Sequence, residues 1–161
     1  MIIKNLLELN DYSVSLLNTS SLGSIDFSLY NLIIIGGDTA YSGSNWGSNN
    51  LSLIIQKANK PIIGIYRGGA VYFSNISLYI GWDNSWTISS TNGTKTMEFS
   101  SKLYNYPYPF KDYTKYILYS KLVHAIAIYN PTNLSNMEII GRQLNNANHY
   151  PIIMENWKYL L

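Results

Sequence analysis

Pro61-Ile62-Ile63-Gly64-Ile65-Tyr66-Arg67-Gly68-Gly69-Ala70 is the stretch that decides the fold. An apolar run, Ile62, Ile63 and Ile65, enters a turn of small residues, and Val71, Tyr72 and Phe73 follow. Such a run bounded by turn signals reads as a buried strand of a parallel sheet. The Gly-x-Tyr-x-Gly spacing suits a sharp strand-to-helix bend whose middle residue takes a strained conformation. Gly64 and Gly68 remove the side chains that would collide around it. This is the pattern of a nucleophile elbow with Tyr66 at its tip, and a phenol of ordinary pKa about 10 is a poor nucleophile at neutral pH.

Upstream, residues 29–35 carry the strongest strand signal, Leu32-Ile33-Ile34-Ile35, ending at Gly36-Gly37-Asp38. A buried parallel strand followed by paired glycines meets the ligand-binding edge of an α/β sheet. Residues 39–50 read as a polar loop carrying Trp46. Leu51, Ile54, Ile55 and Ala58 mark an amphipathic helix, with Asn49 or Asn50 as its N-cap and Asn59-Lys60-Pro61 as its stop. Residues 29–73 thus spell strand, loop, helix, strand and elbow, a βαβ unit with a right-handed crossover.

On either side the signals are more local. Ile2, Ile3, Leu6, Leu7 and Leu9 show helical spacing up to Asn10-Asp11, residues 12–17 alternate like a strand, and residues 18–28 read as a loop or short helical turn. Residues 85–100 alternate around Asn92-Gly93, a β-hairpin signal. Two prolines make residues 104–110, rich in Tyr, an extended surface loop, and residues 122–129 read as a buried strand. Residues 136–144 have helical character weakened by Gly141, residues 151–154 suggest a short strand, and residues 155–161 a closing helix with Trp157, Leu160 and Leu161 inward. No internal repeat or linker divides the 161 residues, so a single domain spanning 1–161 is expected.

The segments from Asn31 to Asp38 and from Lys60 to Gly69 resemble class I glutamine amidotransferase-like domains. Those carry a strand ending in Gly-Gly, a helix, and a Lys-Pro-x-x-Gly-x-Cys-x-Gly elbow. The resemblance is good over residues 29–80 and elsewhere extends only to element order. It implies a flavodoxin-like three-layer α/β sandwich, a mainly parallel sheet with helices on both faces, here with one β-hairpin insertion. It also implies an active site at the carboxyl ends of the strands. Two departures bear on function: Tyr66 stands where the catalytic Cys would be, and the family's His-x-Glu pair has no counterpart, since His149 is followed by Tyr150 and Pro151. The family's first strand, central in its sheet, also has no counterpart here. A preceding segment, a partner chain or a rearranged strand order would have to fill that place, or an open edge would invite association.

The site residues that follow are Gly36, Gly37, Asp38, Tyr66, Arg67, Gly68 and Gly69. Gly36, Gly37 and Asp38 either retain the amides of half an oxyanion hole or form a plain turn. Arg67 binds an anion at the next helix N-terminus, or faces solvent, or forms a salt bridge to Asp38. His124 alternates with Leu122 and Ile126, the pattern of a structural histidine, and His149 in a polar loop has no evident partner as a base. No confident catalytic residue emerges.

Composition narrows the classes. Charged residues are 12% of the chain, about half the usual share, and Asn, Ser and fifteen Tyr fill the deficit. A net charge of +2 without a Lys/Arg cluster makes no electrostatic case for nucleic acid. No apolar run approaches the ~20 residues of a membrane helix, and the N-terminus lacks the pattern of a secretory signal. The absence of cysteine removes disulfides, thiolate metal sites and cysteine catalysis together. Sequons at Asn18, Asn50, Asn75, Asn92 and Asn133 bear on function only if the protein is exported. Low charge with much Tyr, Asn and Ser suits a cell-surface or virion protein, and equally a biased genome. The expectation is a non-catalytic amidotransferase-like domain, a structural or binding module without cofactor or metal. It would associate with itself or other chains, with a small anion as a further ligand. A divergent hydrolase at the same elbow is the alternative.

Overall fold

The structure is a computed structural model that describes residues 2–40, 49–81, 86–91, 95–99, 116–119, 123–129, 135–143, 149–150, 152–156 and 158–160. Helix α1 (Ile2–Glu8) forms where the apolar spacing places it. It ends in a turn where Asp11 takes a φ of 64° and the Asn10 side-chain amide donates to Leu6 O. Residues 12–17, alternating in sequence, form no strand: Tyr12 and Leu16 are exposed and among the described residues no strand pairs with them. Alternation alone makes no sheet without a partner edge. Two short 3₁₀ turns follow, Thr19–Ser24 and Phe27–Leu29, capped by the side chains of Asn18 and Asp26. They bury Leu22 and Phe27. The Ser28 hydroxyl and amide both donate to the exposed Asp26 carboxylate and hold its pKa below the ordinary range.

The βαβ unit is present. Strand β1 (Ile33–Ile35), shorter than its apolar run because Leu32 is exposed, pairs in parallel with β2 (Ile62–Gly64) in the register Ile33 to Ile62, Ile34 to Ile63 and Ile35 to Gly64. Between them runs α2 (Asn49–Lys57), with Asn49 and Asn50 inside its first turn, and Asn59 turns the chain at a φ of 57°. Helix α3 (Tyr66–Asn75) leaves β2 after the single residue Ile65. The Tyr72 hydroxyl donates to Ser52 O of α2 at 3.5 Å, and Asn75 Nδ2 to Ser52 Oγ at 3.2 Å, so the two helices share a buried polar contact. Burial, and then the neighbouring Tyr159, push the Tyr72 phenol pKa well up.

The remaining elements are all strands: β3 (Trp86–Thr91), β4 (Lys95–Phe99), β5 (Tyr116–Tyr119), β6 (Val123–Tyr129), β7 (Met137–Gln143), β8 (His149–Tyr150), β9 (Ile152–Glu155) and β10 (Tyr159–Leu160). One sheet runs β1-β2-β10-β9-β7-β4-β5 and a second runs β3-β6-β8. The chain is therefore α/β with a three-strand parallel segment, β1-β2-β10, and the sheet around it is mixed, not mainly parallel. The reason is the turn between β9 and β10, where Asn156 takes a φ of 55°. Strands joined so tightly must run antiparallel, and β10 then reaches β2 in the parallel sense.

Three expectations fail with it. In place of a closing helix, Glu155 ends β9 and Tyr159–Leu160 form β10, because Asn156 turns the chain; Trp157 and Leu161 lie outside the described residues. Within residues 136–144, Met137–Gln143 form β7 and not a helix, because the segment pairs with β9 along Met137–Gly141 and with β4 along Gly141–Gln143, and Gly141 falls where the register against β9 shifts. The expected hairpin is not one: both arms are strands, yet β3 pairs with β6 and β4 pairs with β5 and β7. Long-range pairing overrides the local turn signal. The place of a central strand beside β2 is taken by β10, while among the described residues β1 has no neighbour on its outer side. The strand at residues 122–129 is β6; Trp46 and the segment 104–110 lie outside the described residues.

The core gathers where α3 covers the parallel segment. Tyr72 and Phe73 are fully buried against Ile35, Ile55, Ile62, Ile80, Ile153 and Tyr159. Phe73 meets the Tyr72 and Tyr159 rings edge-on, at 5.6 and 6.0 Å between centroids. Burying a side chain of this size contributes about 2–3 kcal/mol, so this contact fixes α3 on the sheet.

Candidate functional site

Strands β1, β2 and β10 run in one direction, so their carboxyl ends share an edge, the place where open α/β sheets take ligands. At that edge Ile65 N–H donates to Ile35 O at 2.9 Å and extends the β1–β2 ladder by one rung. The next residue is Tyr66, with a φ of 53°, and Gly69 N–H closes the first helical bond to Ile65 O at 3.2 Å. An aromatic residue held in the left-handed region costs about 1–2 kcal/mol. The bend persists because its neighbours over-determine it.

Those neighbours are the glycines. A methyl group on Gly64 would stand 2.6 Å from Phe73 Cε2 and 2.7 Å from Gly69 Cα, so strand and helix touch through bare backbone. A methyl on Gly68 would run into the Gly36 carbonyl and Thr39 Oγ1. The turn after β1, a 3₁₀ turn at Gly37–Ala40, therefore lies directly on the first turn of α3. It is tied off by Thr39, whose hydroxyl donates to Gly36 O at 2.8 Å and whose amide donates to it at 3.3 Å. Tyr66 leans over this turn: a methyl on Gly37 would lie 3.2 Å from Tyr66 Cβ and 3.8 Å from Cδ1.

Gly36, Gly37, Tyr66, Arg67, Gly68 and Gly69 are thus brought to one place by backbone packing. Tyr66 is 42% exposed and Arg67 is exposed. Asp38 belongs to the same turn through its backbone; its side chain, like those of His124 and His149, lies outside what the structure describes. His124 sits in β6 opposite Ser90 and His149 in β8 opposite Tyr129, both in the second sheet and not in the sheet that carries the elbow. Ile65, at the N-cap of α3, offers no side-chain acceptor, so the first-turn amides face the site with the positive end of the helix dipole. What this arrangement offers chemically is backbone donors, a phenol and a guanidinium. Among the described residues no group of three His, Cys, Asp or Glu could hold a metal ion, and no helix is long and apolar enough to cross a membrane.

Glu155 was not among the residues expected at a site. It is buried at the end of β9, accepts a hydrogen bond from Ile80 N–H at 3.1 Å and lies far along the sheet order from β1. The apolar run Ile152-Ile153-Met154 that leads into it was the one available sign. Comparison with known proteins finds no matching family model, no matching curated protein and no matching solved structure.

Proposed function

We propose that the chain is a non-catalytic amidotransferase-like domain, a flavodoxin-like three-layer sandwich serving as a structural or binding module in a larger assembly. One observation carries this reading. The strained tip of a strand–helix elbow, the position at which a nucleophile is held, is occupied by Tyr66, whose ring lies over the Gly36–Gly37 turn. In the family this chain resembles, that turn supplies oxyanion-binding amides, so a ring laid over it covers the place where a substrate carbonyl would sit.

Self-association, or docking on other protein chains at a cell or virion surface, fits the surface. Ile2, Leu6, Leu9, Leu16 and Leu29 are all more than half exposed, and β1 lies at a sheet edge among the described residues. Sedimentation should show a concentration-dependent oligomer, and a strict monomer would count against the assembly role. The competing reading, a divergent hydrolase acting at the same bend with Arg67 as an anion ligand, draws on the backbone strain at Tyr66, since strain of this kind clusters at functional sites. A panel of amide and ester substrates, glutamine included, separates the two. No turnover above background is expected; turnover abolished by Tyr66→Phe would overturn the non-catalytic reading.

A further inference from the structure

Glu155 is a charged side chain buried by the fold, at 3% exposure. It closes β9 opposite Met137 of β7 and Tyr159 of β10. Its Oε2 accepts from the Ile80 amide at 3.1 Å, and the adjacent Tyr79 amide also favours the ionised carboxyl. Both amides belong to the turn through which the chain leaves α3. In that turn Leu78 N–H donates to Phe73 O at 2.9 Å and Gly81 N–H to Leu78 O at 3.0 Å. A methyl on Gly81 would stand 2.6 Å from Ser74 Cα, so the turn is pressed onto the helix it leaves.

The titratable and charged groups around Glu155 are few. The exit turn supplies Tyr79, β10 supplies Tyr159, the β9–β10 connection supplies Lys158 and β7 supplies Glu138. The Lys158 ammonium is engaged elsewhere, 2.6 Å from Asn59 Oδ1 and 5.0 Å above the Tyr159 ring. Glu138 follows Met137 and so points to the opposite face of its strand. Among the described residues no cation compensates the Glu155 carboxyl, whose neighbours act on it through burial and the Ile80 and Tyr79 amides. Two amides without a counter-ion replace only part of the solvation a free carboxylate has in water, and burial then disfavours the charged form.

We propose that Glu155 is a proton-sensitive latch on the elbow helix. Protonated, it pins the Tyr79–Ile80 amides to the end of β9; when its proton passes to water at higher pH, the charged carboxylate draws solvent in and the turn loosens. Burial raises the Glu155 pKa and the two amides draw it partly back. The folded chain therefore holds this proton more tightly than the unfolded chain. Its stabilising contribution is full below the unfolded glutamate pKa and is lost as pH rises through the folded value. The latch grips one end of a ten-residue helix whose other end is the elbow.

Amide hydrogen exchange on the intact chain, expressed as protection factors from about pH 5 to about pH 8, tests this. Protection of Tyr79 and Ile80 should fall as pH rises, by at most tenfold for each unit by which the folded pKa exceeds the unfolded one. Protection of Ile62, whose amide donates to Lys158 O within the sheet, should hold. In Glu155→Gln, which keeps an oxygen acceptor and cannot ionise, protection at Tyr79 and Ile80 should not change with pH. Protection at those amides that stays level or rises with pH in the wild-type chain overturns the latch. So does a fall shared equally by Ile62, or a Gln variant that keeps the wild-type trend. The wild-type series decides alone if the variant does not fold.

Discussion

Helices α1 and α3 are both short, α1 legible from its apolar spacing and α3 from the glycine-flanked turn that starts it, yet they do opposite things in the fold. Five residues of α3 are buried: Gly68, Gly69, Ala70, Tyr72 and Phe73. None of α1 is, although Ile2, Ile3 and Leu6 are larger and more apolar than most of what α3 hides. Hydrophobicity alone does not settle which helix packs. Small residues let α3 approach the sheet until backbone meets backbone, and the bulky face of α1 finds no such seat among the described residues.

Mutations can break or sharpen that contrast. The largest effect should come from Phe73→Ala, which empties the contact with Tyr159 and Gly64 and should cost about 4 kcal/mol in chemical denaturation. Next is Gly68→Ala. One methyl directed at the Gly36 carbonyl cannot be relieved by a rotamer change, and a loss of about 3 kcal/mol is expected. A loss below about 1 kcal/mol would mean that the turn after β1 does not lie on α3. The smallest should be Leu6→Ala, within about 0.5 kcal/mol of wild type in dilute solution. A loss several times larger would show that α1 is packed after all, and a loss that grew with protein concentration would place it in a chain–chain contact.

The legible part of the molecule was the part whose structure is dictated locally. Ile62-Ile63-Gly64 and Gly68-Gly69 state a strand, a bend and a close approach within eight residues, and the structure returns all three, down to the positive φ of Tyr66. Gly36-Gly37 was read as part of the same edge for the same reason. What failed depends on distant partners. The segment Met137–Gln143 has apolar residues whose spacing fits helix or strand, and it becomes β7 because β4 and β9 lie on either side. Residues 155–161 read as a terminal helix with Trp157, Leu160 and Leu161 inward, but Asn156 adopts the left-handed conformation and Tyr159 and Leu160 return to β2 as a strand. Asn92-Gly93 predicted a pairing between its flanking strands that sheet topology refuses. Only the apolar run before Glu155 hinted at its burial, because the Ile80 amide that it accepts from lies 75 positions away.

The account rests on position 66 being an elbow tip at the mouth of a helix, and the chain's lack of cysteine allows a clean test. Tyr66→Cys introduces a single thiol, whose alkylation rate as a function of pH reports its pKa. A thiol at the N-terminus of α3 should titrate below the ordinary value of about 8.5 and react faster at neutral pH than the same thiol in the unfolded chain. A pKa at or above that value, with reactivity unchanged on unfolding, would contradict the placement of Tyr66 and with it the argument for a nucleophile position filled by an inert ring.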